Sequence, residues 1–438
     1  MKAGAGWQAD PHATHTLAHR RLGNVMAITH SRASRMVRRA SLDFAAVNDP
    51  RQARGKRHPL SGLLNLIVVG FSCGKLTLRA IESLSALVGA KMRRRLGLSR
   101  AVSDTTLYEL LANLGCIGFR ETNWQMLRRD LESKAITNDF FAGGVLVLDG
   151  KGAGGGLGKR PNITARQSVC DATGQECWDV FALRASLVSS SARPVLDQEF
   201  ILRKEAETTV FRDVVERNVK AFPKLFRIVS VDAGMTSREN AHKVIQLGKD
   251  YLFAIKGNAG RIHDRAQELL ASRPVLARTE ERQQGKLVIR ELRRCAVPAD
   301  CDYEGARELF SVTQTRRRGK DVEREARFFL SSSAPDSLSD DRALLLIRLH
   351  WGIENGPNWS MDMIWDEDSR GPCMRQQGVL ATSWLRILAY NLTAIVRAHL
   401  PKKDRLPASW SDAMDNVFAS LLWFREIQGT EVSAAAIA

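Results

Sequence analysis

The spacing of hydrophobic positions changes twice along the chain. From Asp49 to about Leu131 apolar residues recur at helical intervals: Leu63, Leu64, Ile67 and Val68, then Leu78, Ile81, Leu84 and Leu87, then Leu107, Leu110, Leu111 and Leu114. Ser103 stands where the third of these helices needs an N-cap. From about Phe140 short apolar runs alternate with amphipathic stretches. Strands are predicted at Val145–Leu148, Gln167–Cys170 and Trp178–Leu183, the last two joined by the turn Asp171–Gly174. A helix carrying Val210, Phe211, Val214, Val215 and Val219 follows, then a strand at Phe226–Val231. A capping box at Thr236–Glu239 opens a helix to about Leu247, and a fifth strand spans Tyr251–Ile255. This order predicts an α/β class with a mixed sheet flanked by helices. Residues 260–335 break the alternation: after a short helix they read as β at Leu287–Val297, Leu309–Thr313 and Val322–Ser331. Helical spacing returns with Leu345, Leu346, Leu349 and Ile353 behind the cap Ser339, and a long amphipathic helix is expected from about Gly378 to Leu400.

The pattern divides the chain into a weakly ordered basic arm at 1–44, with Arg35, Arg38 and Arg39, and a helical domain at 45–135. An α/β core at 140–400 follows, interrupted by the β-rich insertion 260–335, and a helical segment at 401–438 carries Trp410, Phe418 and Trp423.

Charge narrows the partners. Among 438 residues the 65 Lys and Arg outnumber the 48 Asp and Glu, giving a net charge of +17. Such an excess favours an anionic partner, nucleic acid first. Two clusters could meet phosphates: Lys91–Arg95 in the helical domain, which would suit docking of the helix-turn-helix kind, and Arg316, Arg317, Arg318 and Lys320 at the tip of a predicted hairpin. The seven cysteines, Cys73, Cys116, Cys170, Cys177, Cys295, Cys301 and Cys373, form no C-x-x-C pair, which favours reduced thiols, a cytoplasmic protein and no zinc site. No secretory signal is visible, and the longest apolar run, Leu60–Cys73, is shorter than the ~20 residues of a membrane span, so no membrane is expected.

The stretch Val145–Lys159, V-L-V-L-D-G-K-G-A-G-G-G-L-G-K, runs from a strand into glycines and lysines. A phosphate-binding Walker loop, and with it a P-loop ATPase, is disfavoured: Ala153 stands where its first glycine belongs, Arg160 replaces the hydroxyl residue, and Pro161 spoils the following helix. The alternative puts the chemistry on Asp149, a carboxylate at the end of a buried strand, with glycines that admit a bulky polyanion. Asp232 repeats the arrangement, ending a second buried strand before Ala233 and Gly234, and Glu354 at the edge of a helix could complete a set of three. Three carboxylates suit two-metal phosphoryl transfer, in which oxygen ligands hold a pair of Mg²⁺ ions.

Asp149-Gly-Lys151, Asp232-Ala-Gly234, Tyr251-Leu-Phe-Ala-Ile-Lys-Gly-Asn258, Phe329-Leu-Ser-Ser332 and His350-Trp-Gly-Ile-Glu-Asn355 occur in this order, with Trp359, Asp362 and Glu367-Asp368 after them. Together with Asp49-Pro-Arg and Gly55-Lys-Arg-His-Pro-Leu60 they resemble bacterial insertion-sequence DDE transposases of the H-repeat-associated subgroup, over residues 45 to 400. The resemblance implies an RNase H-like core with a β-rich insertion after the fifth strand. It implies Mg²⁺-dependent cutting at transposon ends, with Mn²⁺ as a substitute, and joining of the freed 3′-hydroxyl to target DNA. It assigns the metal carboxylates to Asp149, Asp232 and Glu354, and sets Lys151, Lys256, Asn258 and His350 near the DNA. The partners it implies are double-stranded DNA and a second copy of the chain, on the nucleoid of a bacterial cytoplasm. Related transposases carry Arg four residues before the Glu and Lys seven after; here these are His350 and Met361. Pro357 is expected to kink or end the helix just past Glu354. That keeps Asp362, Asp366, Glu367 and Asp368 as rival third acids, and keeps an inactive DNA-binding copy as the alternative function.

Overall fold

The structure, a computed structural model, describes residues 41–54, 56–170, 173–202, 207–283, 285–367, 378–401 and 407–426. Arg35, Arg38 and Arg39, the turn residues Asp171 and Ala172, the rival acid Asp368 and Cys373 lie outside the described residues, as does the side chain of Trp423.

Among the described residues the first elements are five helices: α1 Leu60–Ser72, α2 Leu78–Leu87, α3 Ala90–Arg95, α4 Asp104–Asn113 and α5 Phe119–Glu132. The caps follow the sequence. Ser103 accepts a hydrogen bond from the Thr106 amide at the start of α4, and Thr77 does the same for Ala80 in α2. Eleven of the 13 residues of α1 are buried, which explains its unbroken apolarity. It packs against α11 (Gly378–Ala398), and the Trp365 indole donates to the Phe71 carbonyl at 3.2 Å. The apolar residues of α1–α5 form one continuous core with those of the sheet behind them.

Among the described residues ten strands make a single sheet: β1 Val145–Leu157, β2 Arg166–Val169, β3 Glu176–Leu187, β4 Val195–Ile201, β5 Ile228–Val231, β6 Asp250–Ile255, β7 Ala277–Gln283, β8 Lys286–Ala296, β9 Glu308–Arg318 and β10 Asp321–Ser331. Its centre has the order β4-β3-β1-β5-β6. β4, β3 and β1 are antiparallel neighbours, and β1, β5 and β6 run parallel. Three antiparallel strands followed by two parallel ones is the RNase H-like arrangement. α6 (Glu207–Ala221) and α7 (Arg238–Gln246) connect β4 to β5 and β5 to β6, α9 (Asp340–His350) packs in a separate core on the other face, and the start of α11 covers Ala153, Val180 and Ala182. The insertion adds α8 (Arg261–Ala271) and the antiparallel meander β7–β10, and it joins the core sheet through β10 against β6. Chain order closes with α10 (Trp359–Met363) and α12 (Trp410–Glu426).

Several boundaries differ from expectation. The glycine-rich stretch is not a loop: β1 continues through it to Leu157. The glycines allow close approach, since a Cβ at Gly156 would lie 2.5 Å from the Trp178 ring. β4 escaped the pattern because Asp197 and Gln198, at its centre, are buried. Arg120, Arg217 and Asn218 hydrogen-bond the Asp197 carboxylate there. β7, A-R-T-E-E-R-Q, is mostly exposed and too polar to read as a strand. Tyr251–Ile255 is therefore the sixth strand of the chain rather than the fifth. α11 is buried almost all round rather than amphipathic. Among the described residues it is the one helix long and apolar enough to cross a membrane, and 89% of its apolar window is buried inside the fold.

Candidate active site

Strand parity points the first two carboxylates the same way. In β1, Leu146 and Leu148 enter the core shared with α6, while Val145 and Val147 enter the core under α9. Asp149 has the parity of Val145 and Val147. In β5, Val229 and Val231 face α6, while Ile228 joins the core under α9 and Ser230 meets His350 of that helix. Asp232 shares their parity. Leu148 pairs with Val231 in the parallel register, so Asp149 and Asp232 are the next residues on adjacent strands, roughly 5 Å apart at the backbone. Asp232 also caps a short 3₁₀ turn, accepting from the Gly234 amide at 3.1 Å, which fixes its backbone.

Glu354 arrives from the α9 side. The helix ends at His350, before Glu354, not after it. Residues Glu354–Asn358 then form one π-helical turn with Pro357 inside it, and α10 continues directly. The wider turn absorbs the proline: the Asn358 amide donates to the Ile353 carbonyl at 3.0 Å, so the carbonyl that a proline ring would strike in an α-helix is engaged one residue later. The expected kink is thus a local π-turn. Asn358 is buried, and its side-chain amide donates to an Asp149 carboxylate oxygen at 2.8 Å. The turn that carries Glu354 is therefore clasped to β1 at Asp149, one residue past the last pairing of β1 with β5; Asp149 lies within the strand and not at its end, because β1 stays paired with β3 beyond it. No local pattern marks this clasp, because its two side chains lie 209 residues apart in the chain.

Asp232 and Glu354 line one cleft of about 430 Å³, together with Lys256, Arg327, His350 and Trp351. Lys256 is exposed at the end of β6. Asn258 is a brace: its amide donates to the Ala233 carbonyl at 2.5 Å, tying the loop after β6 to the loop that holds Asp232. His350 does not reach outward. It is buried, its Nδ1 lies 3.0 Å from the Ser230 hydroxyl, and its ring meets Phe329 and Trp351 edge-on. Burial, helped by Arg327 and Lys256, lowers its pKa to about 4, so it is neutral at pH 7 and offers no charge to a phosphate.

Lys151 is also turned inward. Its ammonium pairs with Asp362 of α10 and stands 3.7 Å from Glu367. Glu367 and Arg184, both fully buried, form a two-pronged ion pair at 2.5 and 2.8 Å. Arg184 holds the Glu367 carboxyl low against the upward push of burial. Of the rival acids, Asp362 and Glu367 are thus committed to Lys151 and Arg184. Arg317, Arg318 and Lys320 are exposed at the β9–β10 turn, and Arg316 is half-buried below it.

The donors at Asp149 and Asp232 are hard oxygens, which suit Mg²⁺ or Mn²⁺. The amide oxygen of Asn358 is buried without a hydrogen-bond partner among the described residues, which adds one more such oxygen beside Asp149. The donor chemistry therefore fits. Among the described residues, no three His, Cys, Asp or Glu side chains stand close enough together to hold an ion as they are placed.

A family model described as "Transposase DDE domain" matches residues 167–392, just over half of the chain. The chain belongs to the DDE transposase family. A second model, described as "DDE_Tnp_1-associated", matches residues 42–122, the helical region. Asp232 and Glu354 lie inside the first match and Asp149 lies ahead of it. "H repeat-associated putative transposase YhhI" of Escherichia coli (strain K12) is 27% identical over 238 residues, 48% of this chain and 60% of that one. "Putative protein YbfL" of the same strain gives the same figures, so the chain spans about three-fifths of the length of these relatives. "Putative transposase YncI" of Escherichia coli O157:H7 is 24% identical over 347 residues, covering 75% of this chain and 80% of that one. The cryo-EM structure of the piggyBac transposase synaptic complex with hairpin DNA has a TM-score of 0.42 at 12% identity, covering 94% of this chain and 83% of that one.

Proposed function

We propose that this DDE transposase cuts DNA at the ends of its insertion sequence and joins the freed 3′-hydroxyl to target DNA, with Asp149, Asp232 and Glu354 as the metal carboxylates. The observation that carries this reading is the meeting of three elements. Asp149 and Asp232 leave adjacent parallel strands on one face, and the π-turn bearing Glu354 is clasped to Asp149 through Asn358. Bound Mg²⁺ would lower the pKa of an attacking water and stabilise the leaving 3′-oxygen. The chain's own part is position and charge. The strands fix Asp149 and Asp232, Asn358 orients the Asp149 carboxylate, and Lys256 offers a cation to the DNA backbone beside the cleft. Arg317, Arg318 and Lys320 offer more at the hairpin tip. Lys151 and His350 serve instead as internal supports, because one is ion-paired and the other buried and neutral. Duplex DNA is the substrate, and action on two ends favours a pair of subunits. The site of action is then the bacterial nucleoid.

A catalytically inactive DNA-binding protein is the second reading, supported by the absence of a ready three-acid cluster among the described residues. One assay separates the two. Purified protein is incubated with labelled DNA carrying the element ends, with Mg²⁺ or with EDTA. The transposase reading expects metal-dependent nicking at the boundary that is lost in Asp149→Asn while DNA binding survives. Binding without nicking in any metal supports the inactive copy.

A further inference from the structure

Behind the π-turn lies a second cavity, of about 260 Å³. Asn355 and Gly356 stand in its wall, whereas Glu354 lines the catalytic cleft, so a single turn of chain separates the two spaces. Its lining combines two guanidiniums, Arg193 and Arg397, with Trp359, Tyr390 and Trp410, and no Asp or Glu among the described residues. Arg193 is half-buried and rests on Gly356, its Nη1 3.2 Å from where a Cβ would stand there. Among the described residues its guanidinium has no carboxylate partner and no hydrogen-bond acceptor. Burial pushes both arginines below the usual guanidinium range, and Arg193 itself lowers Arg397 further.

Two like charges in one cavity without an acid are unfavourable unless an anion joins them. The fold nevertheless holds both in place. Arg193 takes a left-handed backbone with φ 45°, ahead of Pro194, and its carbonyl accepts from the Tyr390 hydroxyl at 3.2 Å. Arg397 donates from Nε to the Ala408 carbonyl at 2.6 Å and lies 4.6 Å over the Trp410 ring. Trp359, 49% exposed, adds an apolar face on which the sugar or base of a nucleotide could lie.

We propose that this cavity is a phosphodiester subsite, in which Arg193 and Arg397 hold a backbone phosphate of the DNA strand whose neighbouring phosphate occupies the catalytic cleft. The inference rests on the transposase reading above. An inorganic phosphate ion shares the same chemistry, so the test separates the two sources.

Binding of the full chain to a labelled duplex of arbitrary sequence is measured without divalent metal across a series of salt concentrations. The variants are Arg193→Gly and the double variant Arg193→Gly/Arg397→Gln. Glycine accepts the positive φ, so the first should fold at least as well as the parent, which a thermal melt checks. With one phosphate fewer neutralised, the double variant should show a slope of log affinity against log salt lower by about 0.9, with affinity about tenfold weaker at 0.1 M salt. Arg193→Gly alone should lie between it and the parent. A double variant with the parent's slope overturns the subsite. So does a parent stabilised by inorganic phosphate through Arg193 with no change in the DNA slope, which would mark a small-anion site. A parent that fails to bind duplex DNA at all would overturn the proposed function too, whereas normal binding with an unaltered slope overturns this inference alone.

Discussion

The interior of the sheet and the tip of its β9–β10 hairpin treat charge in opposite ways. In the interior, charged side chains are drawn inward and paired: Arg184 with Glu367, Lys151 with Asp362, Arg120 and Arg217 with Asp197. Within the meander too, Arg294 pairs with the buried Glu308. At the tip, the β9–β10 turn pushes Arg317, Arg318 and Lys320 into solvent. The interior uses charge to fix where the strands point. The tip keeps charge available for a polyanion. Position and affinity should therefore fail separately when each region is altered.

The largest effect is expected in the interior. Arg184→Ala leaves Glu367 buried with only the more distant Lys151 ammonium, at 3.7 Å, and Arg386 as nearby cations, and should lower stability by about 3–5 kcal/mol in urea unfolding. Replacing both partners together with Met should recover most of that loss. If Arg184→Ala unfolds at the parent's urea midpoint, the inner network is not what fixes this region.

His350 gives a comparable effect through pH. Its folded pKa of about 4 lies below the ordinary 6.5, so the unfolded chain binds the extra proton between these values. Its contribution is complete above about pH 6.5, declines as pH falls towards 4, and amounts to roughly 3 kcal/mol in all. Melting temperatures of the parent minus those of His350→Gln should show this decline over that window. A flat difference would mean the ring is not held neutral.

Gly156→Ala should cost about 1–3 kcal/mol, because the Trp178 ring 2.5 Å from the new Cβ has to shift. Triple replacement of Arg317, Arg318 and Lys320 by Ala should leave the melting temperature nearly unchanged. It should still lower the salt slope of DNA binding by up to about 0.9 for each phosphate that these side chains neutralise in the parent. A stability loss in that variant, or an unaltered slope, would erase the contrast between the two regions.

Legibility followed burial. The α-helices with one apolar stripe and the strands with dry runs were readable, and so was the position of Asp149 and Asp232 directly after such runs on adjacent strands. β4 was hidden because Asp197 and Gln198 are polar and yet buried, satisfied by side chains from α5, α6 and β3 that no local pattern reveals. β7 was hidden for the opposite reason, being an edge strand with mostly solvated side chains. Where the side chains of Lys151 and His350 point was not legible, because partners more than a hundred residues away decide it: Asp362 for Lys151 and Ser230 for His350. Pro357 read as a helix breaker, whereas a π-turn accommodates it and places Asn358 against Asp149.

Asp149, Asp232 and Glu354 should serve one metal site although they approach it from the middle of one strand, the end of its neighbour and a separate turn. Titration of Mn²⁺ into the full chain, followed by electron paramagnetic resonance of the free ion, tests this without depending on DNA or turnover. A shared site predicts binding by the parent that is weakened at least tenfold in each of Asp149→Asn, Asp232→Asn and Glu354→Gln. Mn²⁺ affinity that is unchanged in Glu354→Gln while the two aspartate variants lose it would contradict a shared site and return the third position to another acid.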